Sequence, residues 1–280
     1  VDSFDLAALV TPLPCDEPGR FTLDVPDGLQ QGRGAWGGVA TGAIVSAAQQ
    51  CQPHPEMAVR TLSAQLVAPV LVGRIHLTAE VLRRGSATTT TGVQVRDGEG
   101  GLLAHGVVVL GSGRRGDGMP DGPSWLGVVP PGDLVAGPDA VAVAEIGPPL
   151  APDFTVHLEM RPVLGIPFEG AESDAIGWVR PRGPVSRVDA AVVSALADAW
   201  WASVMVRLDR VRPAATVGYA LELPLDPATL PRTSDGRLAP LLHRGRVLAA
   251  REGFAVETRE LWTLDGRLAS WNTQTVAVIK

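Results

Sequence analysis

One carboxylate stands alone in an apolar stretch. From Ala190 to Val206 the only charged residue is Asp198. A carboxylate placed there loses its hydration, so it must be hydrogen-bonded, paired or protonated. Two roles fit. It is an acid whose shifted pKa lets it trade protons with a bound molecule, or it anchors a neighbouring loop or strand. Other reactive residues offer less. The five histidines (His54, His76, His105, His157, His243) have no metal-ligand spacing. Cys15 and Cys51 form neither a CxxC motif nor a Cys/His cluster, so no metal and no cofactor is expected. There is no Gly-x-Ser-x-Gly elbow, and the glycine-rich segments lack the context of a phosphate loop.

The element that must position Asp198 reads as one long helix from Pro184 to Arg207, spanning roughly 30 Å. Ser186 is the expected N-cap, with Asp189 completing a capping-box-like start. Val188, Ala191, Val192, Ala195 and Ala199 share one face, while Val193, Leu196, Trp200 and Val204 cover much of the rest. A helix apolar nearly all round is a buried helix.

Bulk properties narrow the class. The chain has 280 residues, 45% of them hydrophobic and 19% charged, enough for one or two domains with a substantial core. A net charge of −6 gives no basic footprint for nucleic acid. No apolar run approaches the ~18 residues of a membrane span. The first ten residues, with two acids and no basic segment, do not read as a signal peptide. A cytoplasmic protein is the expectation.

Taken in order, the chain repeats itself. Phe21 to Val25 alternates like a strand, Gly28 to Gly38 is glycine-rich and reads as loop, and Val39 to Gln50 reads as a small-residue helix. Four strands are expected at Val59–Val67, Ile75–Arg83, Thr88–Arg96 and Leu102–Leu110. A connector dense in Gly and Pro follows, expected to wrap the surface. Then Phe154 to Leu158 answers Phe21 to Val25, and Ala175 to Arg180 reads as a further strand. The Asp198 helix answers the one at Val39, and Ala215 to Pro224 answers Arg60 to Pro69. Strands at Arg246–Arg251, Phe254–Thr263 and Arg267–Ile279 close the chain, with Asp265-Gly266 as the last hairpin turn. A repeat this long means two copies of one α+β domain. The expected division is 1–111, a linker at 112–149, and 150–280.

Several stretches carry a family resemblance. LADA (Leu196 to Ala199) sits on the second helix, Thr216 opens the strand after it, and LDGRLASWNTQ (Leu264 to Gln274) ends in a Gln eight residues after the turn glycine. GAWGGVATGAIVSAA in the first half is similar to a glycine-rich turn and helix of the same family. Together these resemble the acyl-CoA thioesterase II family. The resemblance implies a double hot-dog fold, two tandem copies of a long helix wrapped by a curved antiparallel sheet. It further implies a catalytic trio, carried here by Asp198, Thr216 and Gln274.

On that resemblance, Asp198 would take a proton from water while the Thr216 hydroxyl and Gln274 amide hold carboxylate and water. Backbone N–H groups of Trp36-Gly37-Gly38, opening the first helix, are the candidate oxyanion donors. Aligning the copies puts Gln50 or Gln49 opposite Asp198, Val109 opposite Gln274 and Thr61 opposite Thr216, so one site is expected, in the second copy. Trp200, Trp201, Trp36 and Trp178 are either tunnel lining or core. Arg207, Arg210 and Arg212 either meet coenzyme A phosphates or lie on a solvated helix end. The implied substrate is an acyl-CoA, with a possible homo-oligomer. A non-catalytic acyl-thioester binding protein and a hot-dog acyl-CoA hydratase are the alternatives.

Overall fold

The structure is a computed structural model that describes residues 4–51, 53–54, 56–113, 127–132, 136–171 and 174–279. Its elements are, in order, α1 (Leu6–Leu9), β1 (Leu13–Pro14), β2 (Arg20–Val25), β3 (Gln30–Gln31), β4 (Gly34–Ala35), α2 (Gly37–Cys51), β5 (Met57–Leu66), β6 (Gly73–Arg84), β7 (Thr88–Arg96) and β8 (Leu102–Ser112). They continue as β9 (Leu158–Leu164), β10 (Ala175–Pro181), α3 (Ala190–Ala197), α4 (Val204–Arg207), β11 (Ala214–Glu222), β12 (Leu241–Arg251), β13 (Phe254–Trp262) and β14 (Leu268–Val278).

Twelve strands join in one sheet of order β1-β2-β6-β7-β8-β5-β11-β14-β13-β12-β10-β9. The order is palindromic. Setting β1, β2, β6, β7, β8 and β5 against β9, β10, β12, β13, β14 and β11 superposes one half of the order on the other. The halves join at the middle, where β5 pairs antiparallel with β11 and Leu62 faces Leu221.

Helix α2 packs on β5 to β8 and against α3, and it is buried from Gly38 to Ala48. Small residues allow the close approach of the two helices: a Cβ on Gly42 would lie 3.0 Å from the Ala191 carbonyl oxygen. The sheet face beneath α2 is apolar, with Leu62, Ile75, Leu77, Val93, Val95 and Val108 buried. The second half differs. It buries His243, Glu257, Arg259, Asn272 and Gln274 on strands β12 to β14. Buried polar chemistry is thus concentrated in one half, and the other supplies apolar support.

Four expectations are corrected. First, the long helix is two short ones. Asp189, not Ser186, caps α3, accepting from the Val192 N–H at 3.0 Å, while the Ser186 N–H bonds Asp5. The helix stops at Asp198, because distant side chains take the backbone groups that would continue it. Arg259 Nη1 donates to the Trp200 carbonyl at 3.3 Å, and Glu257 Oε2 accepts the Val204 N–H at 3.3 Å. The end of the Trp200 indole also lies over Gly177, where a Cβ would collide with it. Tertiary partners override local propensity here.

Second, Phe154 to His157 is not strand. It lies in a 3-10 turn, Asp153–His157, closed by Thr155 Oγ1 donating to the Pro152 carbonyl at 2.7 Å. The counterpart of β2 is β10. Third, the glycine-rich stretch Gly28 to Gly38 is not all loop: β3 and β4 pair as a hairpin and α2 begins at Gly37. Fourth, bulges shift the alignment of the copies. The β5/β8 register breaks between Val59 and Thr61, and the β11/β14 register between Thr216 and Gly218. A bulge adds one residue to one strand. Matching the two bulges places Val59, not Thr61, opposite Thr216, and Val108, not Val109, opposite Gln274.

Part of the connector, 114–126 and 133–135, lies outside the described residues. The rest covers the outer face of the second half. Val128 and Val141 pack on the cluster of Ile176, Trp178, Leu242, Trp262 and Leu268. Trp178 Nε1 donates to the Ala136 carbonyl at 3.0 Å, and Arg161 Nη1 to the carbonyls of Pro138 and Val141. Trp178 is therefore a core residue under the connector, not a tunnel residue.

Candidate active site

Asp198 sits at the C-terminal cap of α3, 5% exposed. One oxygen, Oδ1, accepts from Gln274 Nε2 at 2.9 Å and from Arg259 Nη1 at 3.2 Å. The other, Oδ2, faces the first turn of α2: a Cβ on Gly37 would lie 2.7 Å from it. Asp198 belongs to the second half and Gly37 to the first, so the site is built across the two.

Gln274 is buried on β14 with its amide fully engaged. Its Nε2 also donates to Asn272 Oδ1 at 2.9 Å, and its Oε1 accepts from the Thr216 hydroxyl at 2.7 Å. Asn272 is fixed in turn by donating to the Ala220 carbonyl at 2.7 Å. Asn272 and Thr216 together settle which way the Gln274 amide points. Thr216 thus reaches Asp198 through Gln274, not by the direct contact expected from the sequence.

Arg259 on β13 completes the network. Its Nε donates to Glu257 Oε1 at 2.7 Å, and Arg259, Glu257 and Asp198 are all buried. Nothing in the sequence singles out Arg259, Glu257 or Asn272. The available signal is the charge density of Glu257-Thr258-Arg259-Glu260 within an otherwise apolar strand. Burial pushes the Asp198 carboxyl above the ordinary aspartate range. Arg259's charge, Gln274's hydrogen bond and the Gly38 backbone N–H pull against that rise, and Glu257's charge adds to it. A carboxyl raised in this way is a better proton acceptor near neutral pH than an exposed one.

A small cleft opens onto the site, lined by Gln31, Asp198, Trp200, Met205, Thr216 and Arg259 among others. Gln31 arrives on the β3–β4 hairpin of the first half. Of the three residues proposed as backbone donors, Gly37 and Gly38 meet Asp198, while the Trp36 N–H is taken by the Leu29 carbonyl at 2.9 Å. The Trp36 ring is buried, stacked on Phe154 at 4.9 Å and folded over Gly38. Trp200 both lines the cleft and stacks on His243 at 5.1 Å. The structure brings together Asp198, Gln274, Thr216, Gly37 and Gly38, and leaves Trp36 in the core. Chemically this is a buried carboxylate with one oxygen held and the other turned toward a helix N-terminus, where partial positive charge collects.

Two family models match, the acyl-CoA thioesterase N-terminal domain over residues 25–112 and the acyl-CoA thioesterase C-terminal domain over residues 131–278. The chain belongs to the acyl-CoA thioesterase family. Among solved structures, it is similar to a conserved protein of unknown function with a hot-dog fold from Alicyclobacillus acidocaldarius. The identity is 22%, the TM-score 0.81, and 98% of each chain is covered. It is also similar to an acyl-CoA thioesterase II from Mycobacterium marinum, at 15% identity and a TM-score of 0.72, covering 98% of this chain and 97% of that one. Likeness at this identity establishes the hot-dog fold. No curated protein matches the chain. Among the described residues, no helix is long and apolar enough to cross a membrane.

Proposed function

We propose that the chain hydrolyses acyl-CoA thioesters by direct attack of water activated by Asp198. The observation that carries this reading is the Asp198 carboxylate, with Oδ1 tied to Gln274 and Arg259 and Oδ2 turned to the first turn of α2. Water held at Oδ2 gives a proton to the carboxylate as its oxygen bonds the thioester carbon. Negative charge develops on the carbonyl oxygen, where N–H groups of the first turn of α2 are the proposed donors. Collapse breaks the carbon–sulfur bond, and the thiolate takes the proton back from Asp198. The products are the free acid and the thiol, and no covalent enzyme intermediate is needed.

The division at 1–111, 112–149 and 150–280 is proposed with this reading, as two hot-dog copies with one site. It is supported by the palindromic strand order and by Val59 and Val108 standing where the second copy has Thr216 and Gln274. A cytoplasmic location and a homo-oligomer belong to the same proposal.

The test is thiol release from a panel of short- to long-chain acyl-CoAs. Turnover on any chain length supports the reading, and the best substrate reports pocket depth. Ligand-dependent melting with no turnover on any member would replace it with an acyl-thioester binding protein. Within the site, Gln274→Ala is expected to lower kcat roughly 10- to 100-fold, because it removes a hydrogen bond to a charged group. Thr216→Val should cost only a few-fold, because Asn272 still orients the amide. Equal losses in the two variants would mean that Thr216 touches the reacting atoms itself.

A further inference from the structure

We infer that Arg259, clamped by Glu257, is the positioning residue that holds the Asp198 carboxyl aimed at α2, and that it ties this arrangement to the cleft wall. The inference rests on the hydrolytic reading for its kinetic consequences and on geometry alone for the rest. Arg259 spends its donors in two directions. Nε and Nη2 go to Glu257, each at 2.7 Å, and Nη1 goes to Asp198 and to the Trp200 carbonyl. A guanidinium fixed at both ends has little freedom to reach a substrate. It acts through Asp198.

Glu257 has a second duty. Its Oε2 takes the Val204 N–H, at the start of α4, and Ala202 and Met205 on either side line the cleft. A continuous polar path therefore runs from the cleft wall through Glu257 and Arg259 to the carboxylate. The segment 199–202 leaves the helix to make it, with the Trp200 carbonyl and Val204 N–H bound to side chains of β13 instead of to each other.

Among the described residues, the charged and titratable groups around Asp198 are few. Strand β13 presents Arg259 and Glu257. Strand β11 presents Tyr219, whose hydroxyl donates to the Ser194 carbonyl at 2.8 Å. Strand β12 presents His243, buried beside Trp200 and held neutral by burial and by Arg259's charge. Strand β14 contributes the uncharged Gln274 and Asn272, and the first turn of α2, Gly37 to Ala40, contributes no titratable side chain. Arg259 is the one cation in this set, so its loss removes the group that favours the carboxylate.

Arg259→Met and the charge-balanced Glu257→Gln/Arg259→Met are the variants to make. The double variant leaves one buried carboxylate, Asp198, without a cation where the single variant leaves two, so it keeps the test open if the single variant fails to fold. Two readouts are required. In kinetics, the acid limb of kcat/KM should move to higher pH, with a loss on the order of tenfold at pH 7 that recovers as pH rises, and KM little changed. Arg259→Lys should restore part of the loss. A uniform loss at every pH would overturn the inference, since a purely structural role lowers activity without moving the limb. Independently of turnover, the Asp198 carboxyl can be followed by 13C NMR of aspartate-labelled protein, its signal assigned with Asp198→Asn. Its titration should move upward in both Met-containing variants. An unmoved Asp198 titration overturns the inference even if the enzyme works. A moved titration in a protein without turnover upholds it while the hydrolytic reading fails.

Discussion

Asp198→Asn is expected to lower kcat for acyl-CoA hydrolysis by about 10²- to 10⁴-fold with the fold intact, the range a positioned general base contributes. Asparagine keeps the shape and can still accept from Gln274 and Arg259, but it cannot take a proton from water. KM should change little, because the substitution removes no bulk from the cleft. Stability gives an independent check with a definite sign. Burial raises the folded-state pKa of Asp198 above its unfolded value. Its contribution to stability is therefore fully present below the unfolded pKa and is lost as pH rises through the folded pKa. Asn has no such loss. The melting temperature of the variant relative to wild type should rise from acid toward neutral pH. Thiol release and thermal melting across pH measure both effects. A variant that keeps wild-type kcat would remove Asp198 from the chemistry while leaving the family assignment in place.

Asp198 is legible in the sequence because it breaks a composition: one charge in an apolar run needs a partner or a proton wherever the run is buried. Its partners are not legible, and the cause lies in β13. Alternation along a strand marks the buried face only when the other face is wet. In Glu257-Thr258-Arg259-Glu260 both faces are buried, one toward α3 and one beneath the connector side, where Glu260 takes Arg244, Arg246 and the Trp262 indole N–H. A strand polar on both buried faces reads like an exposed one. The same partners explain the overlong helix. Residues 199–203 contain no helix breaker, and their fate is decided by Arg259 and Glu257, more than 50 residues away in sequence. The strands of the first half are easier, since β5 to β8 have turn residues at their ends and apolar residues on the face under α2. The repeat is visible at the level of elements. Residue by residue it slips, because each bulge inserts one position that spacing does not reveal.

The second large effect concerns the side of Asp198 that faces backbone and not side-chain donors. Gly37→Ala is expected to lower kcat by roughly 100-fold while moving the melting temperature little. An added Cβ would lie 2.7 Å from Asp198 Oδ2 and 2.9 Å from Leu66 Cδ1. The Leu66 contact is with the end of a flexible side chain, which can turn away. The carboxylate cannot, because Oδ1 is held by Gln274 and Arg259. Either the methyl occupies the place of the attacking water or the helix end backs off, and a displacement of about 1 Å at the reacting atoms costs on the order of 10²-fold. Gly38→Ala is the contrasting neighbour. Its Cβ would run into the buried Trp36 ring, so it forces a rearrangement of core packing against Phe154. That variant should lose melting temperature first and activity second. The pair therefore separates the two sides of one helix turn: Gly37 reports the reacting face of Asp198, Gly38 the packing behind it. If Gly37→Ala keeps kcat within twofold, Oδ2 is not the oxygen that takes the proton, and the water must approach Asp198 from the cleft side lined by Gln31 and Met205.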